Sequence, residues 1–96
     1  MAKIRVAELF AGVGGFRLAL EGYDDEERDW HLPAAGDFET VWANQWEPPG
    51  ASSRQFAARC YAARFGEGTL VNENIERALD QVEAGERSIP AFDMLV

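Results

Sequence analysis

Between residues 8 and 17 the chain reads Glu8-Leu9-Phe10-Ala11-Gly12-Val13-Gly14-Gly15-Phe16-Arg17, and no other stretch restricts the possible folds as much. An apolar run with strand character (Ile4, Val6, Ala7, Leu9) ends in an acid and an aromatic, then meets three glycines within four positions. A helical pattern over 16–21 follows at once. A strand, a tight turn and a helix in that order let a ligand approach the backbone where the first helical N–H groups point outward. Glycine suits the turn because it lacks a Cβ and accepts positive φ. The dinucleotide fingerprint would place a further glycine where Arg17 stands. The turn alone therefore fits either a ligand cradle or a plain packing junction.

The flanking pattern extends the reading. Residues 3–10 are predicted as a short buried strand and 14–22 as the helix after it. Residues 23–37, with Pro33, Gly36 and the acids Asp24, Asp25, Glu26, Glu27 and Asp29, are predicted as a solvated surface loop. Residues 38–44 have the β-branched and aromatic content of a second strand. Pro48, Pro49 and Gly50 break the chain, and Ser52 or Ser53 is a candidate cap for a helix over 55–65. In that helix Phe56 meets Cys60 and Tyr61 meets Phe65 at i,i+4, while Arg54, Arg59 and Arg64 face water. Gly66 and Gly68 end it, and 69–71 reads as a third strand. Ile75, Leu79 and Val82, spaced i, i+4, i+7, predict an amphipathic helix that stops near Gly85. Residues 92–96 read as a fourth strand.

Such alternation predicts an α/β fold: an open, mostly parallel sheet of about four strands with flanking helices. On the fourth strand Phe92, Met94, Leu95 and Val96 leave an apolar edge in need of cover, which predicts a marginal or partner-dependent fold.

Composition narrows the function classes. Ninety-six residues make one small domain, and a hydrophobic share of 47% supports a packed core. A net charge of −8 gives no electrostatic footprint for nucleic acid; if nucleic acid is a partner, the basic surface must lie elsewhere. The single cysteine, Cys60, excludes an internal disulfide and is expected to be a half-buried packing residue. His31, the lone histidine, sits beside Trp30 without a partner at ligand spacing, and is predicted at the surface. No zinc, P-loop or triad pattern appears. Nor does a run long enough for a signal peptide or a membrane span, so a soluble, cytoplasmic chain with no membrane partner is expected.

Two further segments carry chemistry. Asn44-Gln45-Trp46-Glu47 lies at the carboxyl end of the second predicted strand. In nucleoside-binding α/β sheets a polar side chain there bonds ribose hydroxyls, and an adjacent aromatic can stack on a base. Asn72-Glu73-Asn74-Ile75 follows the third. It offers an acceptor for an exocyclic amine and an apolar face for a purine, although Asn-rich turns also arise for local reasons.

In combination these motifs resemble the DNA cytosine-5 methyltransferases, which use S-adenosylmethionine. The family's first motif, Asp/Glu-Leu-Phe-Ala-Gly-x-Gly-Gly-Phe-Arg-x-Ala-Leu, matches from Glu8 to Leu20. The segment 44–47 resembles the second motif, Tyr61-x-x-x-Phe65-Gly66 the helix end before the third, and 89–96 the lead-in to the catalytic motif. The resemblance implies a partial Rossmann-like methyltransferase fold and, for the whole enzyme, methyl transfer from S-adenosylmethionine to C5 of cytosine in duplex DNA. It places Phe10, Ala11, Gly12, Val13, Gly14 and Gly15 around the methionine part of the cofactor, and Trp46 against the adenine. Gln45 falls where the family usually has a glutamate gripping the ribose, with Glu47 as a possible substitute. Asn74 falls where an aspartate commonly accepts from the adenine amine, beside Ile75.

The family's nucleophilic cysteine would come just after Val96, and Cys60 is no substitute for it. Residues 1–96 alone are therefore expected to be inactive, with the catalytic motif and the DNA-recognition part supplied outside them, on the same polypeptide or by a second chain. The alternative is a non-catalytic S-adenosylmethionine-binding remnant or interaction module. A nucleotide-dependent oxidoreductase fragment is disfavoured by Arg17 and by the lack of an acid soon after the glycine turn.

Overall fold

A computed structural model describes residues 3–48 and 54–96. The elements in chain order are β1 (Ile4–Glu8), α1 (Gly15–Glu21), β2 (Tyr23–Asp25), β3 (Trp30–Leu32), β4 (Phe38–Asn44), α2 (Phe56–Phe65), β5 (Leu70–Val71), α3 (Ile75–Glu83) and β6 (Met94–Leu95). Pro49, Gly50 and the candidate caps Ser52 and Ser53 lie outside the described residues.

Four strands form one sheet in the order β5-β4-β1-β6, with all three pairings parallel. Counted along the chain, these are the third, second, first and fourth strands of the sheet. That order reverses beside β1, and α/β sheets bind ligands outside the carboxyl ends of the strands near such a reversal. The mostly parallel sheet with flanking helices is the predicted architecture, and strand 38–44 has its predicted bounds. The last strand is shorter than predicted, with Met94 and Leu95 alone in the ladder.

The two faces of the sheet pack differently. Successive side chains of a strand point to opposite faces. Ala7, Leu9 and Trp42 share an apolar pocket of 170 Å³ with Leu79 of α3 and with Ile89, Phe92 and Leu95. On the other face Ala43 joins Ala11 and Tyr61 of α2 in the core, with Phe65 and Leu70 against them. Alternation puts Glu8 on this second face. β6 is an edge strand, and Leu95 is 55% exposed on it.

Three expectations need correction. Residues 23–37 are not wholly loop, since β2 and β3 form an antiparallel hairpin with Asp24 opposite His31. Asp is poor in β propensity, so three-residue strands of Tyr-Asp-Asp and Trp-His-Leu leave no pattern to read. Asp25 closes the turn, accepting from the Arg28 N–H at 3.1 Å and from its Nη1 at 2.6 Å. The acids are solvated as expected, but on an ordered ribbon that docks Tyr23 edge-on to Phe65, 6.2 Å between ring centres.

The second correction concerns Cys60, which is exposed. Ala58 and Tyr61 are the buried residues of α2. At about 100° per residue, Cys60 and Phe56 fall on the opposite side of that helix. The third is His31: it is exposed as predicted, but its ring pairs with the Asp24 carboxylate across the hairpin.

Candidate functional site

Parallel pairing brings the loops after β1, β4 and β5 to one end of the sheet, side by side. These loops, with the first residues of α1 and α3, carry all the residues predicted to hold a ligand. The glycine turn is built from positive φ values at Phe10 (50°), Gly12 (61°) and Gly14 (92°). Gly14 N–H donates to Ala11 O at 3.0 Å, and Leu18 N–H to Gly14 O at 2.9 Å as α1 begins. Phe10 is a bulky residue held in a left-handed conformation and is 73% exposed. Such local strain persists only where surrounding structure enforces it.

The glycines have opposite tasks. A Cβ at Gly12 or Gly15 would meet nothing within 4 Å, so these positions keep an open backbone face. A Cβ at Gly14 would stand 2.4 Å from Phe65 Cε2 and 3.0 Å from Tyr61 Cδ2. Gly14 thus lets α2 press against the turn, while Gly12 and Gly15 leave room outside it.

The second loop is tied to the first and the third. Ala11 N–H donates to Asn44 O at 2.9 Å, and Gly12 N–H to Gln45 Oε1 at 2.7 Å. Gln45 N–H reaches Val71 O at 3.2 Å, and Asn72 Nδ2 donates to Gln45 O at 2.7 Å. Asn44 is fully buried, and its Nδ2 donates to Val71 O at 3.1 Å and Glu73 O at 2.7 Å. Trp46 is partly buried beside these ties.

Glu47 is committed to the helix start. Its Oε1 accepts from Ala57 N–H at 2.8 Å in the first turn of α2, and its own N–H donates to Gln55 Oε1 at 2.8 Å. Gln55 itself has left-handed backbone (φ 52°), and its side chain also accepts from Asn72 Nδ2 at 3.1 Å. In the third loop Asn74 caps α3, its Oδ1 accepting from Glu76 N–H at 2.9 Å and Arg77 N–H at 3.4 Å. That is the local role Asn commonly takes before a helix. Asn74 is exposed and Ile75 partly buried.

Beneath the turn lies a charged layer. Arg17 donates from Nη1 to Tyr61 Oη at 3.2 Å and Thr69 Oγ1 at 3.0 Å, and its Nε stands 3.1 Å from Glu21 Oε2. Its guanidinium also covers the Phe65 ring at 4.7 Å. Glu21 Oε2 accepts from Thr40 N–H at 2.7 Å, tying α1 to β4. Glu8 is 0% exposed, and neither carboxylate oxygen has a hydrogen-bond partner among the described residues. Burial pushes its pKa up from 4.5 to about 7. The Arg17 charge opposes that rise, and the Glu21 charge adds to it. Burial likewise raises the Tyr61 phenol, against the hydrogen bond and charge of Arg17.

Asn44 and Asn72 lie in the two segments singled out in the sequence, but as ties between loops rather than as ligand contacts; Gln55, Glu8 and Arg17 carried no predicted ligand role. A polar residue ending a buried strand was the one signal for Asn44; Gln55 had none, because its bonds depend on where two distant loops meet. Among the described residues no group of His, Cys, Asp and Glu could hold a metal, and no helix is long and apolar enough to cross a membrane. A groove of 630 Å³ runs along α2 and β5, lined by Ala58, Ala62, Leu70 and Asn72 among others, and holds none of the predicted ligand residues.

Comparison with known proteins fits this arrangement. The chain is 42% identical over 96 residues to the Type II methyltransferase M.Sau3AI of Staphylococcus aureus. The match covers 100% of this chain and 19% of that relative's length. No solved structure matches the chain. The family model for C-5 cytosine-specific DNA methylases matches residues 4–96, from the first residue of β1 through the glycine turn and the cross-tied loops to β6. With nearly its whole length accounted for, the chain belongs to the C-5 cytosine-specific DNA methylase family.

Proposed function

We propose that residues 1–96 form the S-adenosylmethionine-binding part of a DNA cytosine-5 methyltransferase. The carrying observation is the open backbone at Gly12 and Gly15, in the turn after β1 and beside the loop after the neighbouring parallel strand β4. A cradle that a Cβ would fill is what a ligand pressed against the main chain requires, so the residues present fit the cofactor. It supplies an electrophilic methyl group on a sulfonium.

Phe10, Ala11, Gly12, Val13, Gly14 and Gly15 hold the methionine part. Positive φ at Phe10, Gly12 and Gly14 turns the chain into α1, and the first N–H groups of a helix suit a carboxylate. Trp46 and Ile75 offer apolar faces to the adenine, and Asn74, on the rim, stands beside its amine with the side-chain oxygen shared with the cap of α3. Gln45 meets the ribose. Glu47 shapes the site from behind by capping α2. Arg17, packed on Phe65 and Tyr61, holds the turn against α2.

Cytosine, duplex DNA and the nucleophile are engaged by residues outside these 96, on the same polypeptide or a second chain. The net charge of −8 supports that division, because DNA binding needs cationic surface. Titration calorimetry with S-adenosylmethionine tests the reading. Wild type binds it, and Gly12→Val, which fills the open face, does not. Equal binding by the two would overturn it.

A further inference from the structure

We infer that Gln45 is a coupling residue: through Gly12 it sets the shape of the methionine pocket from the ribose side of the site. The inference deepens the proposed function and rests on it. Gly12 has a left-handed backbone with open space outside it, so nothing packs the turn into place from that side. Its N–H is instead held at 2.7 Å by Gln45 Oε1. Gly12 and Gln45 stand 33 positions apart in the chain, so the bond joins two loops rather than closing one.

The direction of the side-chain amide is settled by chemistry. A backbone N–H can pair only with the carbonyl oxygen of Gln45, which leaves Nε2 as the outward group. The site therefore presents a neutral donor on the far side of the latch. The backbone of Gln45 is itself fixed at both ends. Its N–H bonds to Val71 O and its C=O accepts from Asn72 Nδ2, so the side chain springs from a rigid base. A change at Gln45 is thereby transmitted to the turn, whereas Asn74 and Glu47 spend their oxygens on helix caps and transmit nothing to Gly12.

Coupling and simple ribose contact make different predictions. If Gln45 acted only on the ribose, its loss would not matter to a ligand without ribose hydroxyls. Three forms of the full chain are compared: wild type, Gln45→Met, which removes the latch, and Gln45→Glu, which keeps an oxygen for Gly12. Each is titrated with S-adenosylhomocysteine and with its 2′,3′-dideoxy analogue. Exchange of the Gly12 amide is followed without ligand.

Gln45→Met should exchange the Gly12 amide about fivefold faster, as expected for a lost hydrogen bond worth about 1 kcal/mol. It should weaken both ligands, the dideoxy analogue by about threefold to tenfold. Gln45→Glu should keep wild-type exchange and wild-type affinity for the dideoxy analogue. Gln45→Met that binds the dideoxy analogue as wild type does would overturn the inference. Unchanged Gly12 exchange in that variant would do the same. Wild type that binds neither ligand, yet shows the exchange difference, would overturn the proposed function and the coupling to ligand together, and leave only a structural tie.

Discussion

Gly14 and Phe65 are in contact only because Gly14 has no side chain: a Cβ there would lie 2.4 Å from Phe65 Cε2. The same glycine holds φ 92°, where other residues are strained. Gly14→Ala therefore combines backbone strain with overpacking, and should cost about 2–4 kcal/mol of stability. Phe65→Leu in the same chain should restore part of that loss, because the clash is with the ring. Denaturant unfolding of the single and double variants measures it. Strictly additive losses would show that the ring is not the obstacle.

Arg17 reaches Tyr61 and Thr69 with one nitrogen, pairs with Glu21 and covers Phe65, all with its side chain mostly out of water. A lysine keeps the charge but offers neither a planar fork nor a flat face for stacking. Arg17→Met removes the charge and leaves Glu21 and Glu8 near one another without a cation, at a cost of about 3 kcal/mol or more. Arg17→Lys should fall between wild type and Arg17→Met in unfolding midpoint. Equal midpoints for Lys and Met would mean that the charge contributes nothing.

The parts of this molecule legible in its sequence are those specified by local chemistry. The turn at 12–15 announces itself through glycine, and β4 through its run of Phe, Thr, Val and Trp. What stayed hidden depends on contacts made at a distance. The β2–β3 hairpin is held by Asp25 and by Tyr23 docking on Phe65, neither of which gives a periodic signal. Cys60 looked half-buried because Phe56 stands four residues earlier, yet the sheet covers the face carrying Ala58 and Tyr61. The site followed the same division. Its outward residues sit in recognisable motifs; Asn44 and Asn72 sit beside them, but the bonds that they and Gln55 make to distant loops are specified by no motif.

Glu47 illustrates the difference between a motif position and a task. Its carboxylate accepts the Ala57 N–H, as an N-terminal cap does. Glu47→Ala should lower stability by about 1 kcal/mol, the usual loss for a cap. Its effect on S-adenosylmethionine affinity should be smaller than that of Gln45→Ala. Thermal unfolding and calorimetry on the same samples separate the two. A larger loss of affinity for Glu47→Ala, with unchanged stability, would move the ribose contact to Glu47.

Glu8 makes the stability of the fold depend on pH in a direction opposite to that of most carboxylates. Its folded-state pKa of about 7 lies above the ordinary 4.5 because burial disfavours its charge. The folded chain therefore holds a proton at Glu8 that the unfolded chain releases between those values. By linkage, stability from this group is fully present below pH 4.5 and is lost as pH rises through 7. Glu8→Gln has nearly the same shape and stays neutral, so it should unfold like wild type near pH 4.5. By pH 8 it should be the more stable of the two, by up to about 3 kcal/mol for a shift of this size. Urea unfolding at pH 4.5, 6 and 8 follows the difference. A gap that stays constant with pH, or that favours wild type at pH 8, would mean that Glu8 is ionised in the fold with a partner for its charge.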